Sequence, residues 1–200
     1  EVITAANVHY PRNSIPVPSP GVGGACLSKD PHILIDLAKK LDYSPDLVSE
    51  ARKINENYPR LIIERIINEY SQVGGKIDNA LVLVAGFAFK GSPETADLRE
   101  STTITLIDEL RKVTNCSIRG FDPVVVKADL ESIGEIEVVD LKDGFKDVDI
   151  LILANNHESY RDWDISEALK EMQRPTIIYD AWRMLDKNVV KEHKDVLYMS

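Results

Sequence analysis

The spacing of apolar residues divides the chain into a helical first part and a second part with a different rhythm. In the first part, apolar positions recur every three or four residues, which is typical of amphipathic helices. One helix is predicted over 31–41, with Asp30-Pro31 as its N-cap and first residue. A second helix is predicted with Ser44-Pro45-Asp46 as its N-cap and first turn. Pro59 is expected to break or kink it before it stops at Gly74-Gly75.

From residue 79 the pattern becomes that of buried strands. The segment 80–89 is almost continuously apolar, as expected of a strand covered on both faces. Four more strands are predicted, at 117–121, 136–139, 149–154 and 176–179. Helical patterns separate them, at 101–112, near 141–147 and at 164–172. This alternation predicts an α/β fold. A helical central segment, 1–75, would precede a Rossmann-like, doubly wound, mostly parallel sheet domain, 76–200.

Composition excludes several classes of protein. The 24 basic and 33 acidic residues give a net charge of −9, which argues against a nucleic-acid partner. No apolar run approaches a membrane span, so we expect no membrane partner. Cys26 and Cys116 do not form a disulfide framework, which favours a reducing cytoplasm, and Cys116 is predicted to be structural. The four histidines lack zinc-like spacing, so no metal site is predicted.

A glycine-rich loop over 21–30 carries the first candidate chemistry. Its glycines, which let the backbone turn tightly and approach a ligand, are Gly21, Gly23 and Gly24. Cys26 falls just before a predicted helix N-terminus and close to Lys29, and both features favour a thiolate. Cys26 is therefore a candidate nucleophile. The alternative is that Cys26 is a small buried apolar residue in an ordinary turn.

Positive charges follow the predicted strands. Ligands of doubly wound sheets bind beyond the carboxyl ends of the strands. Lys90 ends the first strand, Arg99 lies in the polar loop after it, and Arg183 follows the last strand. These three cations could bind phosphate, or they could be solvated surface charges. No GxGxxG follows the first strand, so the usual dinucleotide fingerprint is missing there.

Several motifs, in order along the chain, resemble one known family. They are GVGGACLSKD at 21–30, GFAFK at 86–90, DLRES at 97–101 and FDP at 121–123. Together they resemble the UDP-glucose/GDP-mannose dehydrogenase family. The resemblance spans nearly the whole chain but only the central and C-terminal parts of the family. We therefore expect a fragment without the N-terminal NAD-binding domain.

The resemblance implies an activity and assigns roles to residues. The family oxidises the C6 alcohol of a nucleotide sugar to a carboxylate with two NAD. Cys26 would be the nucleophile, forming a thiohemiacetal and then a thioester. Asp30 would orient or activate water, and Lys90 would contact the substrate. The cations expected near the cofactor are Lys29, Arg99 and Arg183.

Other residues bear on which nucleotide sugar is the substrate. Tyr10-Pro11-Arg12, and 51–55 followed by Pro59, resemble the UDP-N-acetylhexosamine branch, in which Arg12 would be a substrate contact, across a dimer. Lys29 resembles the UDP-glucose branch instead. We expect UDP-N-acetylmannosamine or its epimer as substrate, with UDP-glucose as the alternative, and a homodimer.

Two other interpretations stay open at the level of sequence. The chain could be a non-catalytic nucleotide-binding or dimerisation module in which Cys26 is structural. It could also be an unrelated receiver-like α/β domain with a helical extension, which predicts no UDP binding. The leading hypothesis predicts that the chain binds the UDP part of a nucleotide sugar and is inactive alone.

Overall fold

The structure is a computed structural model that describes residues 2–10, 12, 15 and 19–200. Its first part contains the helices α1 (Val2–Asn7), α2 (Asp30–Lys40) and α3 (Asp46–Gln72). A short 3₁₀ turn, Ile77–Asn79, leads from α3 into the sheet.

Six parallel strands form one sheet in the described part of the chain. The strands are β1 (Leu81–Ala85), β2 (Ser117–Phe121), β3 (Glu137–Val138), β4 (Ile150–Leu153), β5 (Thr176–Asp180) and β6 (Val196–Met199). The helices among them are α4 (Thr102–Val113), α5 (Lys127–Glu131), α6 (Leu141–Gly144), α7 (Ile165–Glu171) and α8 (Lys187–Lys191). The strand order is β3-β2-β1-β4-β5-β6. It reverses direction between β1 and β4, so the crevice for a ligand is expected at the carboxyl ends of these two strands.

The sheet is buried on both faces, which explains its apolar strands. Successive side chains of a strand point to opposite faces. Val82 and Val84 of β1 pack in one core layer with α3 and α4. Leu83 and Ala85 pack in the other layer with α7 and α8. The α/β fold and parallel Rossmann-like sheet predicted from the sequence are confirmed.

Some details of the elements differ from the prediction. Helix α3 continues through Pro59, which does not break it. Proline removes one helical hydrogen bond, but Pro59 is buried, and the turns after it pack into the core through Ile62, Ile63, Ile66 and Tyr70. Asp30 is not the N-cap of α2, because Lys29 holds that position without a side-chain hydrogen bond and Asp30 begins the helix.

Two strand predictions are also wrong in part. Strand β1 ends at Ala85 rather than Phe89, because Gly86 takes a φ of +95° and turns the chain out of the sheet. Strand β6 was missed, since its residues are only half-buried at the sheet edge apart from Met199, and the apolar signal is weak there. None of the helices in the described ranges is both long and apolar enough to cross a bilayer.

Candidate functional site

A cleft of about 1070 Å³ opens between α3, the glycine loop and the carboxyl edge of the sheet. Its lining is mainly apolar and aromatic, with contributions from Leu27, Ile54, Tyr58, Phe89, Trp182 and Met184. Three of the residues predicted from the sequence, Gly21, Gly23 and Lys90, also line it. An apolar cleft with a few polar groups, at the strand ends of a doubly wound sheet, is typical of a small-molecule site.

Lys90 places a positive charge in this cleft. It is half-buried, and its Nζ lies 5.4 Å from the centroid of the Phe89 ring. Among the residues that the structure describes, Lys90 has no ion pair and no side-chain hydrogen bond. Asn156 lies on the same lining, and its Oδ1 accepts from the N–H groups of Gly91 (2.9 Å) and Ser92 (3.1 Å). The Lys90 ammonium is therefore available to an anionic ligand.

The backbone N–H groups in the turn after β1 have hydrogen-bond acceptors within the protein. The N–H groups of Phe87 and Ala88 donate to Asp122 Oδ2 at 2.6 and 3.1 Å. The neighbouring N–H groups of Gly86 and Phe89 donate to carbonyl oxygens of the protein, at 2.9 and 3.0 Å. In dinucleotide-binding folds this turn presents free N–H groups to the pyrophosphate. The described residues therefore do not fit NAD at this position of the sheet.

The glycines of the loop allow close packing on the sheet domain. The N–H of Gly24 donates to the carbonyl of Glu100 at 3.3 Å. A Cβ on Gly23 would lie 2.2 Å from that carbonyl oxygen, and a Cβ on Gly24 would lie 3.0 Å from the Phe89 ring. Gly21 and Gly24 both have positive φ. Only glycine at these positions therefore lets the Cys26 loop pack against Glu100, just before the N-terminus of α4.

Two side chains of α3 hold the same loop from the other side. Asn55 Oδ1 accepts from the N–H of Val22 at 2.7 Å, and Asn55 Nδ2 donates to the Val22 carbonyl at 3.2 Å. One turn earlier, Arg52 Nη1 donates to the carbonyl of Leu27 at 3.5 Å. Arg52 also bonds Glu56 Oε1 through Nε (3.2 Å) and Nη2 (2.9 Å).

Glu56 ties α2 to this arrangement. His32 Nε2 of α2 lies 2.7 Å from Glu56 Oε1. Burial would raise the pKa of Glu56, but the hydrogen bonds from His32 and Arg52 outweigh it and hold the pKa below its usual value. The carboxylate therefore stays ionised and keeps Arg52 in place.

Cys26 lies in a tight turn that runs directly into α2. Its carbonyl accepts from the N–H groups of Lys29 (3.1 Å) and Asp30 (2.9 Å). Cys26 is exposed, so its interpretation as a buried apolar residue is wrong. Lys29 Nζ pairs with Asp30 Oδ1 at 2.5 Å, and this bond raises the pKa of Lys29, with a smaller contribution from Cys26. Cys26 thus has a cation on its own turn.

Arg99 is the second cation near Cys26. Its Nε and Nη2 grip the Asp97 carboxylate at 2.6–3.1 Å. This grip raises the pKa of Arg99, to which the charge of Cys26 adds a small part, and lowers the pKa of Asp97 to about 2. The Arg99 side chain is 73% exposed and lies outside the cleft lining.

Arg183 lies in the loop after β5. It is exposed, with a φ of +56°, between Trp182 and Met184, which line the cleft. The buried carboxylate of Asp180 holds this loop by accepting from the N–H groups of Trp182 (3.2 Å) and Leu185 (2.8 Å). Asp180 also accepts from Tyr198 OH at 2.9 Å.

The structure brings only three of the predicted residues onto the cleft lining, Gly21, Gly23 and Lys90. The others among the described residues lie off the lining, namely Arg12, Gly24, Cys26, Lys29, Asp30, Arg99 and Arg183. Lys29, Asp30, Arg99 and Arg183 are exposed. Arg12 is exposed too, and Pro11 of its motif lies outside the described residues. In the described ranges no group of three or more His, Cys, Asp or Glu side chains is placed to hold a metal ion.

Sequence reasoning missed several residues of the site. Arg52 and Asn55 carried a signal, because both belong to the 51–55 motif, but that motif did not predict their contacts with the loop. Trp182 had a signal as well, since it lies two residues after the end of a predicted strand at Asp180. Tyr58 had none, because helical spacing alone does not separate a cleft residue from a core residue.

Comparisons with known proteins bear on the whole chain. The UDP binding domain of the UDP-glucose/GDP-mannose dehydrogenase family matches residues 83–187, and the central domain of that family matches residues 1–57. The UDP-N-acetyl-D-mannosamine dehydrogenase of Pyrococcus horikoshii is 30% identical over 194 residues, which are 96% of this chain and 41% of that protein. The chain thus spans about two fifths of the length of this relative.

Solved structures give the same picture. The structure of UDP-D-ManNAc dehydrogenase from Pyrococcus horikoshii superposes with a TM-score of 0.78 at 25% identity, covering 99% of this chain and 42% of that one. The NDP-N-acetyl-D-galactosaminuronic acid dehydrogenase from Methanosarcina mazei Go1 superposes with a TM-score of 0.83 at 22% identity, covering 98% and 42%. The second likeness shows a shared fold.

Proposed function

The chain belongs to the UDP-glucose/GDP-mannose dehydrogenase family, and on this premise we propose that it forms the sugar-nucleotide part of an NAD-dependent UDP-sugar 6-dehydrogenase. The observation that carries the proposal is the cleft. It joins the ammonium of Lys90, which has no ion pair within the described ranges of the chain, to the loop that bears Cys26. A diphosphate against Lys90 would direct the attached sugar along the glycine loop toward the cysteine.

The proposed substrate is a UDP-sugar, with UDP-N-acetylmannosamine as the first choice. The relatives named as dehydrogenases of this sugar nucleotide support it. UDP-glucose remains the alternative because Lys29 resembles that branch. The aromatic lining from Tyr58, Phe89 and Trp182 suits a nucleobase, and Gly21, Gly23 and Gly24 let the backbone approach the sugar.

Cys26 and Asp30 would carry the covalent steps. The Cys26 thiolate adds to the carbon of a C6 aldehyde, so that a C–S bond forms, the C=O π bond breaks, and the oxygen takes a proton from water to give the thiohemiacetal. NAD, when bound, would accept the electrons removed in the two oxidations at C6. Water then attacks the resulting thioester, a C–O bond forms, and the C–S bond breaks with Cys26 leaving as thiolate. Asp30, four residues after Cys26, would take the proton from that water.

We propose that the cofactor binds outside this sheet, because the backbone N–H groups of residues 86–89 are bonded within the protein and do not face the pyrophosphate of a dinucleotide. The diphosphate of UDP would instead bind through the side chain of Lys90. Lys29, Arg99 and Arg183 are the candidates for contacts to the cofactor, since all three are exposed cations. The 200-residue chain alone should therefore give no steady NAD reduction with a UDP-sugar.

We further propose a homodimer formed through the helical segment 1–75, with Arg12 reaching the partner's substrate. Exposed apolar side chains on α2 and α3 support this assembly, because exposed apolar surface is typical of an interface. They include Ile33, Leu34, Leu37, Leu47 and Leu61. The nucleotide-binding domain proper would comprise residues 76–200.

Titration calorimetry with UDP tests the proposed binding site. The chain should bind UDP at one site, and Lys90→Ala should weaken binding by about 10- to 150-fold, because a hydrogen bond to a charged group contributes about 1.5–3 kcal/mol. Lys112→Ala, which removes an exposed lysine of α4 paired with Glu109, should leave the affinity unchanged.

The outcomes separate the competing functions. A folded chain that gives no heat with UDP would contradict the proposal and favour a domain unrelated to sugar nucleotides. UDP binding by a full-length protein that forms no uronate from any UDP-sugar with NAD would favour a non-catalytic nucleotide-binding module.

A further inference from the structure

Asn55 makes an unusual contact for a residue inside a long helix. Its side-chain amide bonds both the N–H and the carbonyl of Val22, at 2.7 and 3.2 Å. Asn55 therefore bonds the backbone of the loop and not a side chain, and the Val22 side chain is exposed. Both polar atoms of the Asn55 amide are occupied by this one residue.

Arg52 makes a second contact on the other side of Cys26. Its side chain is only 12% exposed, and it donates to the carbonyl of Leu27 while Glu56 holds its guanidinium. The two contacts therefore bracket the loop, one at Val22 and one directly after Cys26. Between them the loop is pressed from the opposite side against Glu100.

The helix that carries both side chains is fixed to the sheet. Beyond Pro59, α3 packs into the core through Ile62, Ile63 and Ile66. Tyr70 OH near its end donates to Asp149 Oδ1 at 2.9 Å. Asn55 and Arg52 thus stand on a rigid element whose position relative to the cleft is set by the core.

We propose that Asn55, supported by Arg52, is a positioning residue that holds the Cys26 turn in register with the sugar end of the cleft. This role rests on the proposed function. It concerns the step that uses the thiol, in which the sulfur must meet the C6 aldehyde. A displacement of about 1 Å at a reacting group can lower a rate about 100-fold, so the loss of this clasp should slow the second oxidation more than the first.

The test compares Asn55→Ala with Asn57→Ala in the full-length protein, with a UDP-sugar and NAD. Asn57 lies on the same helix and is exposed, and Arg60 is its only side-chain partner among the residues that the structure describes. Products are quantified after trapping free aldehyde with semicarbazide, and amide hydrogen exchange is followed in residues 20–27. For Asn55→Ala we expect a uronate-to-aldehyde ratio at least tenfold lower, exchange at least tenfold faster, and an affinity for UDP within twofold of the parent protein. Asn57→Ala should change none of these.

A conservative pair keeps the test valid if Asn55→Ala does not fold. Asn55→Asp retains the acceptor for the Val22 N–H, so its uronate-to-aldehyde ratio should lie between those of the parent protein and Asn55→Ala. Arg52→Lys loses the two-pronged hydrogen bond to Glu56 and should also lower this ratio. Faster exchange with an unchanged product ratio would overturn the proposal. So would unchanged exchange with a UDP affinity weakened tenfold, which would make Asn55 a ligand contact. A parent protein that forms no uronate would instead refute the proposed function.

Discussion

At the scale of single residues, buried carboxylates build the rim of the cleft by collecting backbone N–H groups. Asp122 accepts four of them, from the turn after β1 and from Val124 and Val125 at 2.9 Å each. Asp180 does the same for the loop that presents Trp182. Both carboxylates therefore fix the conformation of a loop, and neighbouring residues of each loop face the ligand.

Asp122→Asn tests this role. The amide nitrogen would face N–H donors, leaving about two of them without an acceptor, so we expect the free energy of unfolding to fall by about 3 kcal/mol. Urea unfolding followed by circular dichroism measures it. Asp129→Asn, an exposed carboxylate on α5, should change stability by less than about 0.5 kcal/mol. Equal effects of the two substitutions would contradict the assignment.

At the scale of elements, the glycine loop shows what a sequence motif does in three dimensions. The motif predicts a loop that approaches a ligand, but two of its glycines pack closely against the protein itself. Gly23 lies against the Glu100 carbonyl, and Gly24 lies against the Phe89 ring. The loop is a joint between the helical part and the entrance of α4. A spacing pattern predicts that a backbone comes close to something, without saying to what.

Gly23→Ala should open this joint. Its Cβ would lie 2.2 Å from a backbone oxygen, so the loop must shift, and we expect a loss of about 2 kcal/mol in stability together with faster amide hydrogen exchange in residues 20–27. Gly134→Ala is the comparison, since it strains a φ of +78° in open space. It should cost about 1 kcal/mol and leave the exchange of residues 20–27 unchanged. Urea unfolding and amide hydrogen exchange measure the two effects, and unaltered exchange of residues 20–27 in Gly23→Ala would contradict the joint.

At the scale of the whole molecule, the two-layered core and the parallel sheet could be predicted because both depend on apolar periodicity. The strands β1, β4 and β5 are buried on both faces, so each is recognisable in the sequence as an apolar run. The edge strand β6 and the continuity of α3 through Pro59 depend on tertiary packing, which no local pattern encodes. The contacts of Asn55 and Arg52 with the Cys26 loop join residues 25 to 33 positions apart, so they too become visible only in the fold.

Burial of tyrosines in this core predicts a loss of stability at alkaline pH. Burial, and after it the charge of Tyr58, raises the pKa of Tyr179 to about 12 from an ordinary value near 10. The unfolded chain therefore loses this proton first, so the contribution is complete below pH 10 and is lost as pH rises toward 12. Tyr179 alone should remove about 2 kcal/mol across that range.

Urea unfolding between pH 8 and 11.5 measures this dependence. Tyr179→Phe should flatten the fall above pH 10 and change little at pH 8. Tyr43→Phe, at an exposed position, should leave the curve as it is. The pKa values of Tyr70 and Tyr198 are also raised by burial, so part of the slope will remain in Tyr179→Phe. A slope identical to that of the parent would show that Tyr179 titrates normally in the folded state.

The most direct test of the central claim is the product made without the Cys26 thiol. The full-length protein carrying Cys26→Ser is incubated with UDP-N-acetylmannosamine and NAD in the presence of semicarbazide, and the products are identified by mass spectrometry. We expect trapped C6 aldehyde with no uronate, because the first oxidation does not need the thiol. Cys116→Ser, at the half-buried cysteine on the opposite edge of the sheet, should form uronate like the parent. Uronate formed by Cys26→Ser at the parent rate would contradict the account.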